Sequence, residues 1–176
     1  MKQIKRRVFR CNDPDSYDRW DLEHSGYYFV TNRNIHGEEE AYYFKPFFHE
    51  TARHGILVFE IAEYLKNYDV KVKTYLSRKP DIIFEANGKE WAVEIETGII
   101  FKKNKKQFLE KVESLKYWYG RRWFFVITDR NLLKSYKRYG KTFTRRNIIG
   151  KIDRIMAENW VDRIYEKETS ECENDS

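Results

Sequence analysis

Asp81, Glu94 and Glu96 are the side chains whose types and spacing could do chemistry together. They lie in Lys79 to Gly98, KPDIIFEANGKEWAVEIETG, where an apolar run (Ile82, Ile83, Phe84) and an alternating run (Trp91, Val93, Ile95) are separated by Asn87-Gly88. Asn-Gly between such runs signals a β-hairpin with a two-residue type I′ turn. With those residues as the loop, Ala86 pairs with Lys89, Phe84 with Trp91, Ile82 with Val93, and Asp81 with Glu94. Opposed residues share a face, and Glu96, two residues beyond Glu94, shares it as well. Three carboxylates then gather at the open end of the hairpin. Like charges roughly 5 Å apart at Cβ repel one another. A hard divalent cation offsets that repulsion, because Mg²⁺ is held by one or two carboxylates with water and phosphate oxygens completing its shell. The alternative is three solvated acids at a fraying hairpin end.

The flanking pattern supplies elements that could position these groups. Pro46 can open a helix running to about Asn67, with Leu57, Val58, Ile61, Ala62 and Leu65 on one face. Extended towards its start, that face meets Glu50 and His54, while Glu60 and Glu63 fall on the opposite, solvent side. Glu50 or His54 then either looks into the carboxylate site, or belongs to a frayed first turn or, for the histidine, is a satisfied core residue. Val70 to Leu76 alternates as a strand leading into the hairpin. Beyond Gly98 a basic segment (Lys102, Lys103, Lys105, Lys106) leads a helix through Gln107 to about Tyr119, and Arg121 and Arg122 introduce the unbroken apolar run WFFVIT, which suits a buried parallel strand. Asp129 can cap a short helix from Asn131 to Tyr139. Gly140 to Gly150, with Arg145 and Arg146, reads as a basic connection, and Lys151 to Tyr165 as a last amphipathic helix. Near the start, after a basic stretch and an Asp13-Pro14-Asp15 turn, GYYFVT and AYYF read as an aromatic hairpin. Its tyrosines either stack on bases or simply favour sheet.

The chain has 176 residues, enough for one domain with a real core. It carries 34 Lys and Arg against 28 Asp and Glu, a net charge of +6, and 17% aromatic residues. That balance points to nucleic acid as a partner, or to a highly charged surface around an aromatic core. Cys11 and Cys172 have no partner at metal-ligand spacing, and His24, His36, His49 and His54 make no zinc pattern with them. No apolar run is long enough to span a membrane and no signal peptide precedes the first cysteine, so a reducing, cytoplasmic location is expected.

The order helix, strand, hairpin, helix, strand, helix, with Pro80-Asp81 opening one strand and Glu94-Ile95-Glu96 ending the next, resembles the core of the PD-(D/E)xK nuclease superfamily over roughly Pro46 to Tyr139. A more particular likeness is to the nuclease-like domain of plasmid replication-relaxation proteins. It is carried by His54, Pro80-Asp81, Glu94 to Gly98, and Phe108 with Lys111. The resemblance implies that Asp81 and Glu94 hold Mg²⁺ or Mn²⁺, that the third motif position activates or orients water, and that the reaction is hydrolysis of a DNA phosphodiester. At that third position this chain has Glu96 where the family most often has lysine. Lys111, which shares a helical face with Lys103 and Gln107 at four-residue steps, could restore the charge.

The expected architecture is therefore α/β, a restriction-endonuclease-like core with a central mixed β-sheet flanked by helices and an N-terminal aromatic hairpin. Residues 1–45 form an extension, 46–165 the nuclease-like domain and 166–176 an acidic tail. The expected catalytic set is Asp81, Glu94, Glu96, Glu50, His54 and Lys111, with Glu96 either a further metal ligand or the water-activating group. Lys102, Lys103, Lys105, Lys106, Gln107, Arg121 and Arg122 are expected to hold DNA, with a solvated basic face as the alternative. The expected partner is DNA, with a homodimer or larger DNA-processing complex compatible with two-strand cutting and no membrane involved. The alternative function is a noncatalytic DNA-binding accessory protein of replication or relaxation type on the same fold.

Overall fold

The computed structural model describes residues 6–12, 18–48, 50–76 and 79–158. In chain order its elements are β1 (Val8–Arg10), α1 (Arg19–His24), β2 (Tyr28–Arg33), β3 (Glu39–Phe44), α2 (Ala52–Lys66), β4 (Val72–Thr74), β5 (Ile82–Ala86) and β6 (Lys89–Glu96). There follow α3 (Ile99–Lys103), α4 (Lys105–Tyr119), β7 (Trp123–Ile127), a 3₁₀ turn at Arg130–Leu132, α5 (Leu133–Tyr136), β8 (Thr142–Thr144) and α6 (residues 145–158). The Asp13-Pro14-Asp15 turn, Cys172, the acidic tail and the end of the last expected helix lie outside the described residues.

The architecture is α/β, with a five-stranded mixed sheet and a three-stranded antiparallel sheet. The larger sheet has the order β4-β5-β6-β7-β8, antiparallel from β4 to β6 and parallel from β6 to β8. Its two faces follow from the period-2 alternation of each strand. Ile82, Phe84, Val93, Ile95, Phe124 and Val126 face Leu57, Ile61 and Leu65 of α2 and Ile148 and Ile152 of α6. Ala92, Trp123, Phe125 and Ile127 face Phe108, Val112 and Leu115 of α4 and Tyr136 of α5. Each fully buried Phe or Leu in these layers contributes about 1.5–3 kcal/mol relative to an exposed one.

The smaller sheet, ordered β1-β3-β2, lies against the outer side of α2, where Val8, Tyr42 and Phe44 pack on Ile56. Its other face buries Phe9, Tyr27 and Tyr43 against Leu22 of α1. The aromatic hairpin expected from the sequence is present as β2 and β3, and β1 adds a third strand that its arginine-rich surroundings had masked. Because α2 is covered on two sides, Glu60 is not solvated as its helical position suggested. It is 1% exposed, and accepts hydrogen bonds from Arg10 Nη2 at 2.8 Å, Tyr42 Oη at 3.2 Å and the Ile35 amide at 3.2 Å.

The strand expected over Val70 to Leu76 is only Val72–Thr74, the helix expected over Asn131 to Tyr139 is a 3₁₀ turn followed by Leu133–Tyr136, and three further boundaries differ for local reasons. Helix α2 starts at Ala52, after Pro46, because Thr51 supplies the N-cap and accepts the His54 amide at 3.3 Å. The single basic helix expected after Gly98 is two helices, since Asn104 ends α3 and its side chain caps α4 through the Gln107 amide at 3.1 Å. Gly140 to Gly150 is no open connection: Thr142–Thr144 pairs with β7, and residues 145–150 are already helical. No helix among the described residues is long and apolar enough to cross a membrane.

Candidate active site

The hairpin forms in the expected register, Ala86 opposite Lys89, Phe84 opposite Trp91 and Ile82 opposite Val93. Asn87 (φ 53°) and Gly88 (φ 63°) take the positive dihedrals that a type I′ turn requires. Asp81 stands just outside the first residue of β5, where the ladder ends. Its Oδ2 accepts the Ile95 amide at 2.7 Å, so a side chain completes the hydrogen bonding of β6 beyond the last strand pair.

Glu94 and Glu96 are each 3% exposed and project to the α4 side of the sheet. Lys111, from the second turn of α4, places its ammonium on Glu94 Oε1 and 3.5 Å from Glu96 Oε1. The Tyr136 hydroxyl donates to the remaining oxygen of Glu96, Oε2, at 2.9 Å. Burial above all, then the neighbouring Asp81 charge, pushes Glu94 up to about 8, with Lys111 acting in the opposite direction. For Lys111 burial favours the neutral amine, but Glu94 and Glu96 outweigh it and hold the ammonium protonated. Burial and the Glu96 charge likewise raise Tyr136, which stays a neutral donor.

Helix α2 approaches Asp81 from the other face. His54 puts Nε2 at 3.3 Å from Asp81 Oδ2 and Nδ1 at 3.0 Å from Glu50 Oε1. Both ring nitrogens face carboxylates, so both donate and the ring is an imidazolium. Burial opposes that charge, yet the hydrogen bonds to Asp81 and Glu50 raise His54 to about 10. At neutral pH His54 is a fixed cation that holds Asp81, and it is no general base. Glu50 is pulled below the usual carboxylate range against its burial, by His54 and by an ion pair with Arg7 from the start of the smaller sheet. The line Arg7, Glu50, His54, Asp81 thus alternates in charge from one sheet to the other.

The fold brings together all six expected catalytic residues, Asp81, Glu94, Glu96, Glu50, His54 and Lys111. Lys102, Lys103, Lys105, Lys106 and Gln107 are exposed at the same end of the sheet, where β6 runs into α3. Arg121 and Arg122 are not with them. They precede β7, and Arg122 Nε donates to Glu90 O at 3.2 Å near the hairpin turn. Helix α4, about 22 Å long at 1.5 Å per residue, separates the two basic groups. Lys103 belongs to α3 and does not continue the α4 face of Gln107 and Lys111.

Arg7 and Tyr136 are site residues that the sequence pattern did not reveal. Arg7 lay in an unassigned basic start, and Tyr136 in a short helix with no visible link to the hairpin. Gly98 carried a usable signal: it has φ 84°, and a Cβ there would come 2.9 Å from Leu132, so glycine lets the chain turn sharply out of β6 towards α3.

The donor set of Asp81, Glu94 and Glu96 is all carboxylate oxygen, which suits Mg²⁺ or Mn²⁺ rather than a softer metal. The raised Glu94 reflects its burial first and the Asp81 charge second. Among the described residues no group of three or more His, Cys, Asp or Glu side chains is already arranged as a metal cage, and Lys111 sits on two of the three acids. No family model, no curated protein and no solved structure matches this chain.

Proposed function

We propose that the chain is a Mg²⁺- or Mn²⁺-dependent DNA endonuclease of the PD-(D/E)xK type. The observation that carries this reading is Lys111 of α4 lying against Glu94 and Glu96 beside Asp81. In this reading the lysine missing from the third motif position comes from the following helix. Sheet order supports it too: an antiparallel trio, β4 to β6, continued in parallel by β7, with α2 on one face and α4 on the other, is what a restriction-endonuclease-like core requires.

In this reading Asp81 and Glu94 would hold the metal. When bound, the metal polarises the phosphodiester and favours ionisation of the attacking water. His54 orients Asp81 through Nε2. Tyr136 fixes Glu96 through Oε2, so that the carboxylate can orient water with Oε1. Lys111 keeps a proton on Nζ and is a source of positive charge for the phosphate. The exposed lysines of α3 and early α4 would grip the backbone beyond the reacting group.

A second reading is favoured by one observation. Lys111 already pairs with both Glu94 and Glu96 and offsets part of their charge without a metal, as a noncatalytic DNA-binding accessory protein would need. Titration of Mg²⁺ and Mn²⁺ into the wild type and an Asp81→Ala/Glu94→Ala variant, with plasmid nicking on the same samples, separates the two. The nuclease reading expects binding and nicking that both vanish in the variant. DNA binding that weakens with salt, without metal uptake or nicking, would leave the accessory protein.

A further inference from the structure

Phe47 and Phe48 lie three and two residues before Glu50. Phe48 is 85% exposed and has φ 50°. Both features are unfavourable: a large apolar ring remains in water, and a bulky side chain occupies the left-handed region that normally belongs to Gly, Asn or Asp. Contacts hold the residues on either side of it. The Glu50 amide donates to Phe47 O at 3.1 Å, closing a turn. Arg7 donates to Lys45 O at 3.2 Å, pairs with Glu50, and lies 5.7 Å from the Phe47 ring centroid. Phe47 meets Phe48 edge to face at 4.5 Å. The groups that hold the turn are the same Arg7 and Glu50 that lead through His54 to Asp81. Phe48 therefore stands two residues from Glu50, at the outer end of that line, with its ring edge to face with Phe47.

We propose that Phe48, braced by Phe47, is a stacking platform for an unpaired nucleobase beside the active site, so that the preferred substrate is DNA with unstacked bases: a single strand, an overhang or a junction. The inference rests on the DNA-processing reading and narrows its substrate. Exposed Arg53 follows the turn and the chain is net positive, which suits a polyanion whose bases offer ring faces, while the Lys45 ammonium is held by Ser25 O at 2.7 Å. Within an uninterrupted duplex those faces are already stacked, and a protruding ring must first pull a base out.

The test uses the full chain with metal chelated, so binding is read apart from cleavage. The probes are a single-stranded oligonucleotide and an overhang duplex carrying 2-aminopurine, and a blunt duplex of the same sequence. Wild type is expected to favour the two unpaired forms and to quench the 2-aminopurine. Phe48→Asn, a residue that tolerates the same backbone conformation, is expected to lose about 5- to 100-fold in affinity for the unpaired forms, the range that base stacking gives. Its blunt-duplex binding should be unchanged, and Phe48→Trp should retain both preference and quenching. Equal loss on all three probes, no loss, or wild-type preference for blunt duplex would overturn the stacking role while leaving the nuclease reading intact. A Phe48→Asn change that alters only self-association in sedimentation would assign the ring to a protein interface and also overturn it. A wild type that binds none of the probes overturns the stacking role and the DNA reading together.

Discussion

Replacing Lys111 by methionine keeps the stem that packs against α4's neighbours and removes the charge that faces Glu94 and Glu96. Both carboxylates are 3% exposed, and among the described residues Tyr136 alone then remains as a side-chain donor to Glu96. Stripping the partner from a buried ion pair costs about 3–5 kcal/mol, and the lower end applies because the Lys111 side chain is itself about a third exposed. A loss of about 3 kcal/mol corresponds to a fall in Tm of about 6–12 °C for a chain of this size. The deficit must depend on pH. Glu94 is raised to about 8 in the folded chain, above its unfolded value near 4.5, so the folded state binds its proton more tightly and stability falls as pH rises from about 4.5 to 8. Without Lys111 the folded value moves higher still, and the gap to wild type should widen from pH 5 to pH 8.5. Thermal unfolding followed by circular dichroism over that range measures it, and Lys111→Met/Glu94→Gln should recover most of the loss. A single variant melting within 2 °C of wild type at pH 8, by a threshold of about 1 kcal/mol, or a gap that widens on acidification, would refute the electrostatic account of the site.

His54 is raised to about 10, above its ordinary 6.5, so its contribution is complete below pH 6.5 and disappears as pH climbs through about 10. Denaturant unfolding of His54→Gln should therefore show its largest deficit near pH 6 and almost none near pH 10. At Gly55 a Cβ would overlap the Phe44 ring and come 3.0 Å from Glu50 Oε1. Gly55→Ala is expected to lose about 1–3 kcal/mol in urea unfolding despite alanine's better helix propensity of about 1 kcal/mol.

What the sequence made legible was what short-range chemistry determines. Asn87-Gly88 has essentially one good turn, and with the turn given, period-2 alternation sets the register out to Ile82 and Val93 and sends Glu94 and Glu96 to one face, whereas the expected pairing of Asp81 with Glu94 is replaced by Asp81 accepting the Ile95 amide beyond the ladder's end. The apolar run from Trp123 to Ile127 could only be buried on both faces, as β7 is. Glu60 shows where the reading stops. Its place on α2 is opposite Ile61 and Leu65, which is solvent for a helix with one covered side, but β1 and β3 cover the second side, and no local pattern announces a neighbour that distant in the chain. The same applies to Arg7, whose role depends on β1 pairing with β3. The break at Asn104 was decided by a competition within a few residues, as the asparagine side chain takes the Gln107 amide and starts a new helix.

The buried Glu60 limits how this protein can be divided or recombined. Its oxygens are held by Arg10 and Tyr42 from the smaller sheet and by the Ile35 amide of the hairpin loop, while its backbone belongs to the helix that floors the larger sheet. A version starting at Pro46 would carry the anion without its counter-charge, and would also leave Glu50 without Arg7. Replacing the small sheet with an unrelated one would demand a guanidinium and a hydroxyl at matching positions, or the simultaneous loss of the acid. The two sheets are thus constrained to vary as a single unit, and the smallest piece that retains the site's electrostatics begins upstream of Arg7.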